Sequence, residues 1–81
     1  MTKEYYIMTQ YQLEAGECVE ELKSAPLTLD EVRRKVTGLV NTEDAFLCNV
    51  AKYRRLPVWP GAVCVGSVSA DEFDGDVPDY D

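Results

Sequence analysis

Fifteen carboxylates, three thiols and no imidazole are the groups in this 81-residue chain that could do chemistry. Without histidine there is no Ser-His-Asp or Cys-His nucleophile pair and no imidazole to ligate a metal. The thiols, Cys18, Cys48 and Cys64, are odd in number and widely spaced, with no C-x-x-C pair, so the usual zinc patterns are missing. They read as small hydrophobes in a reducing compartment. Gly16, Gly38, Gly61, Gly66 and Gly75 compose no phosphate-cradling motif. Paired carboxylates remain, but a catalytic acid needs a shaped, partly dry pocket. The acids here fall on what read as turns and a terminal run. The expectation is no catalytic residue, no cofactor and no bound metal, hence no enzyme.

The terminal run is DEFDGDVPDYD, residues 71–81, with six carboxylates and no base. Residues 1–31 hold seven acids against Lys3 and Lys23, whereas residues 32–70 hold six bases against Glu43 and Asp44. The net charge of −7 is therefore mostly the tail, and such a run reads as a solvated, mobile interaction segment. A calcium loop is a poor fit, because counting back from Gly75 puts Ala70 where the first ligand belongs. Extended at about 3.3 Å per residue, the tail carries about one charge per 6 Å, against one per ~1.7 Å of duplex DNA axis. It imitates a duplex thinly, but Glu14, Glu17, Glu20 and Glu21 add a second acidic patch. Asp71, Glu72, Asp74, Asp76, Asp79 and Asp81 supply charge for steering, and Phe73, Val77 and Tyr80 supply apolar anchors. Trp59, between two prolines in LPVWPG, is either a stiffly held docking anchor or part of the core. The rival surface is basic: Arg33, Arg34 and Lys35, with Lys52, Arg54 and Arg55 around Tyr53, would suit single-stranded RNA or DNA. An overall pI near 4.4 argues against it, and the tail would compete for the same patch.

The elements that must position these groups follow from pattern. EYYIMTQYQL (4–13) is rich in strand formers, with Tyr6 and Met8 on one face and Tyr5, Ile7, Tyr11 and Leu13 on the other. A turn at Gly16 leads to CVEELKSA (18–25), which Pro26 makes too short for a stable helix; a strand is favoured, with a helix the alternative. TLDEVRRKVTGLV is a helix. Thr28 and Glu31 have capping-box spacing, Leu29, Val32, Val36, Leu39 and Val40 form its inner face, and Gly38 is expected to end it. AFLCNVAKY (45–53) and AVCVGSVS (62–69) are strands. A hairpin folded about Leu56 sets Val50 against Ala62, Cys48 against Cys64 and Phe46 against Gly66. The fold class is α+β: a small antiparallel sheet of three to four strands with one helix packed on one face. Residues 1–70 form the single domain and residues 71–81 the acidic tail. One sheet face stays uncovered and partly apolar, around Leu47, Tyr53, Val63 and Val65, which suits a partner or a homodimer.

Chain length, LEAGECVEEL and ADEFDGDVPDYD together give a chain that resembles the small acidic inhibitors of host defence encoded by phages, the anti-CRISPR and DNA-mimic class. These proteins share no single fold, so no family residue is carried over. The resemblance implies an inhibitor that occupies a basic, nucleic-acid-handling surface of a larger protein or nucleoprotein complex. No direct nucleic-acid contact and no membrane are expected. The N-terminus lacks a signal peptide's apolar run, and the expected location is the cytoplasm, that of the host cell if the chain is phage-encoded. On a mobile-tail reading, removing residues 71–81 would leave the melting temperature nearly unchanged.

Overall fold

Aromatic and β-branched residues without a breaker make Glu4–Glu14 the longest strand, β1, in the computed structural model, which describes residues 4–39, 42–55 and 61–80. Ala15 and Gly16, both at positive φ (54° and 84°), form a two-residue turn of the type that matches strand twist, and β2 (Glu17–Lys23) returns beside β1. A bridge between Tyr6 and Leu27 carries the chain across to helix α1 (Leu29–Leu39). A short 3-10 turn, Glu43–Ala45, precedes β3 (Cys48–Arg55), and β4 (Ala62–Ser69) completes an antiparallel sheet of order β2-β1-β3-β4. This is the expected α+β fold, with four strands and one helix.

The helix starts as its sequence requires. The Thr28 N–H donates to Glu31 Oε1 at 3.0 Å, and the Glu31 N–H donates to Thr28 Oγ1 at 3.2 Å. Its end differs from expectation. The helix runs through Gly38, which is not left-handed, and stops at Leu39, whose side chain packs on the core. Thr42 supplies the cap instead, its N–H and its hydroxyl both donating to the Leu39 carbonyl. Val40, the hairpin pivot Leu56, Trp59 and Asp81 lie outside the described residues.

Tyr6 and Met8 from β1, Val32 and Val36 from α1, and Cys48 and Val50 from β3 meet in one core. The β3–β4 register is displaced from the simple hairpin: Val50 lies opposite Val68, not Ala62, and Lys52 lies opposite Gly66. Phe46 precedes the strand and is exposed, so it does not oppose Gly66. Val68 is the branched apolar residue that can pack on the buried face beside Val50, and this pairing wins. A bulge after Lys52 then leaves Val65 as an extra residue and sets Cys64 opposite Tyr53. Cys48 and Cys64 therefore do not face each other; the first is buried and the second exposed.

The largest correction concerns the tail. It is not a solvated strip: Val77 is 0% exposed within the core, and Phe73 packs against it. Residues 73–80 lie beside α1 on the same sheet face. The Arg33 Nε–H donates to the Gly75 carbonyl at 2.8 Å, the Tyr80 N–H to Val65 O at 2.6 Å, and the Tyr80 hydroxyl meets Ser67 Oγ at 2.7 Å. Gly66 makes this seat, since a methyl group there would run into the Pro78 carbonyl. One helix cannot cover four strands, and the tail covers the part beside Gly66 on β4, while β2 stays bare. The other face carries Tyr5 stacked on Tyr53 (ring centres 5.4 Å apart), with the Arg55 guanidinium 5.7 Å from the Tyr5 centroid.

Candidate protein-docking surface

Register decides where the acids go. Ser69 lies opposite Asn49, Asn49 opposite Thr9 and Thr9 opposite Lys23. One pair further on, Gln10 lies opposite Cys48 and the Tyr11 N–H reaches Leu47 O, and past this point β1 and β2 continue alone as a hairpin to Glu14 and Glu17. Past the Ser69 row β4 passes into a second 3-10 turn, Ala70–Glu72, and the turn Glu43–Ala45 feeds β3 from this side. Glu14, Glu17, Glu20, Glu21, Glu43, Asp44, Asp71 and Glu72 are thus gathered toward one end of the sheet, and all eight are exposed. Among the described residues no ion pair engages the four hairpin glutamates or the acids of the two turns.

The remaining acids of the tail are divided between structure and solvent. Asp74 is exposed, and Asp76 accepts the Val77 N–H at 2.8 Å. Asp79 is committed internally, pairing with Lys52 and, at 2.8 Å, with Arg54; Glu4 takes the second place on both cations. Hydrogen bonds from Lys52 and then Arg54 hold the Asp79 carboxyl below the usual carboxylate range. Burial pulls the Lys52 ammonium down, but its bond to Asp79 and the nearby negative charge outweigh this and raise it overall. Lys52 is 6% exposed, so its charge stays inside only because these partners are present. Phe73 is partly buried and packs against the core. Tyr80 is largely exposed, with its hydroxyl tied to Ser67.

The basic block is not assembled into one strip. Arg34 and Lys35 are exposed on α1, Arg33 is spent on Asp30 (3.6 Å) and the Gly75 carbonyl, and Lys52 and Arg54 lie under Asp79. The competition between tail and basic patch is thus settled within the molecule. Arg55 alone of that run is exposed, beside Tyr5.

Sequence reasoning missed Glu43 and Asp44 as members of the acidic end, because a stretch of strand was expected from residue 45 and nothing in the pattern marked a turn beside the hairpin. It also missed Leu13, Val19 and Leu22, which are exposed on the hairpin among the glutamates. The signal was available: LEAGECVEEL sets Leu13, Val19 and Leu22 among four glutamates, and a hairpin that acidic at both ends is poorly suited to burial. Cys48 is buried, and that burial, with Asp44 nearby, pushes its thiol up, the opposite of an activated nucleophile. Among the described residues no group of three or more Cys, Asp or Glu is placed to hold a metal ion, and no helix is long and apolar enough to cross a membrane. No family model, no curated protein and no solved structure matches the chain.

Proposed function

We propose that this protein is a small acidic inhibitor that inserts its glutamate-rich end into a basic, nucleic-acid-handling surface of a larger partner, in the manner of anti-CRISPR and DNA-mimic proteins. The observation that carries the reading is the charge spacing at the acidic end. Glu14 sits opposite Glu17, and Glu20 and Glu21 follow on the same strand. Side chains alternate across the sheet and a bulge follows Gln12, so Glu14, Glu17 and Glu20 share one face while Glu21 projects from the other. The three on one face fall within about 10 Å of strand at ~3.3 Å per residue, or about one per 3.3 Å. That is near the axial charge density of one DNA strand, one per ~3.4 Å, and denser than the extended tail would be. A rigid ladder presents these charges without the ordering cost that a mobile tail would carry on binding. The reading through Arg33, Arg34, Lys35, Lys52, Arg54 and Arg55 is weaker, because Lys52 and Arg54 already hold Asp79. The expected place of action is the cytoplasm, where such surfaces are met.

The test compares the wild-type protein with a variant in which Glu14, Glu17, Glu20 and Glu21 are all glutamine, as baits in nuclease-treated lysate. The expected result is a nucleic-acid-handling protein held by the first and released by the second, whose nucleic-acid binding the wild-type protein blocks. A partner retained equally by both baits, or one that binds nucleic acid undisturbed, overturns the reading.

A further inference from the structure

β2 is an edge strand, and every one of its residues is exposed. Which backbone groups it leaves unpaired follows from the ladder. The Ser24 N–H donates to the Met8 carbonyl at 2.9 Å, and the Tyr11 N–H donates away from β2, to Leu47 O at 2.7 Å. Backbone direction alternates along a strand, so Leu22 and Glu20 face β1 while Glu21 and Lys23 point their N–H and C=O outward. The opposite edge, β4, is blunted by the Tyr80 N–H bond to Val65 O. Nothing comparable covers β2 among the described residues. Natural edges are shielded or charged against unwanted pairing, yet this one also displays Val19 at 58% and Leu22 at 50% exposure.

We infer that the outer edge of β2 is a strand-addition site for an extended, basic segment of a partner protein. This deepens the proposed function and rests on its basic partner. Charge selects the occupant. β2 carries Glu17, Glu20 and Glu21 against Lys23. Even the register centred on Leu22, which sets Glu21 against the Lys23 of a second copy, leaves Glu17 and Glu20 of each copy without a base. Registers centred on Glu20 or Glu21 set glutamate against glutamate. A strand with lysine or arginine beside Glu20 and Glu21 gains at the same positions. Leu22 lines a groove of about 520 Å³ with Met8, Leu39 and Cys48, rimmed by Lys23 and Lys35. The added strand therefore places its basic residues toward the hairpin tip and an apolar residue beside Leu22, away from the two lysines. Main-chain bonds give such a complex its affinity and the alternate side chains its specificity.

The test uses the full chain at low salt with a blocked synthetic peptide as long as β2, with lysines at the positions that fall opposite Glu20 and Glu21 and valines at those opposite Leu22 and Lys23, and follows amide exchange residue by residue. Slowed exchange at Glu21 and Lys23, with Leu22 little changed, is the expected result. Absence of binding, or binding that leaves both outward amides exchanging as before, overturns the inference. Protection of the two amides without peptide, with a dimer in sedimentation, assigns the edge to a second copy and also overturns it. With the partner captured above, Lys23→Pro removes one outward N–H while making the protein more acidic, and Lys23→Gln removes only the charge. Strand addition weakens Lys23→Pro by about ten-fold relative to Lys23→Gln, the worth of one to two ladder bonds. Equal binding by the two sinks strand addition and leaves the acidic-end reading standing. Peptide pairing without any nucleic-acid-handling partner does the reverse.

Discussion

Val77 concentrates what the tail contributes to stability in one side chain. It is fully buried, and Val77→Ala removes two methyl groups and leaves a cavity, a loss of about 1–3 kcal/mol. For a chain this short that lowers the melting temperature by roughly 4–20 °C in a thermal melt. Asp79 adds a pH dependence. Its carboxyl is held low in the folded protein by Lys52 and Arg54. The stability it confers is complete above the ordinary carboxylate value of about 3.9 and is lost as pH falls through the lowered folded value. Wild type should therefore melt above Asp79→Asn at pH 7, and the gap should close in strongly acidic buffer; a gap unchanged in acid would contradict the pairing. Ala15 sits at φ 54° in an exposed turn, where a Cβ is strained. Ala15→Gly should raise stability by about 0.5–1 kcal/mol in denaturant titrations. None of these three effects is legible from residue type alone: Val77 stands among five aspartates, and only the contact beside Gly66 reveals it as core.

At the scale of elements, the sequence was read well where one local signal dominates. Thr28 and Glu31 announce the start of α1, and the strands β1 and β4 fall within a residue of their patterned spans. It was read poorly where a distant contact decides. Gly38 has the chemistry of a helix stop, but Leu39 packing on the core carries the helix one residue further. The β3–β4 register depends on which valine is buried, which symmetric alternation cannot tell. The acidic end was half legible, through Glu14, Glu17, Glu20 and Glu21, while Glu43 and Asp44 join it only by topology. Because the hairpin glutamates are exposed, replacing Glu17, Glu20 and Glu21 by glutamine should change stability by no more than about 0.5 kcal/mol per site. Partner association should slow, and its salt dependence should flatten, in stopped-flow measurements across ionic strength.

For the molecule as a whole, the tail shares the helix's layer and extends the cover of a sheet face that one helix cannot span. Deleting residues 71–81 exposes the seat of Val77 and strips Asp79 from the buried Lys52. The truncated chain should melt far below the full one, the reverse of what a mobile tail would give. The two exposed thiols and the buried one turn this layering into a clock. Cys18 and Cys64 should react with a maleimide at once, whereas Cys48, buried at the floor of the groove beside Leu39 and raised in pKa, should react mainly when the domain opens. The third modification, resolved by mass, then times how often the sheet and its cover part. Loosening the cover through Val77→Ala should speed that third event and leave the first two alone.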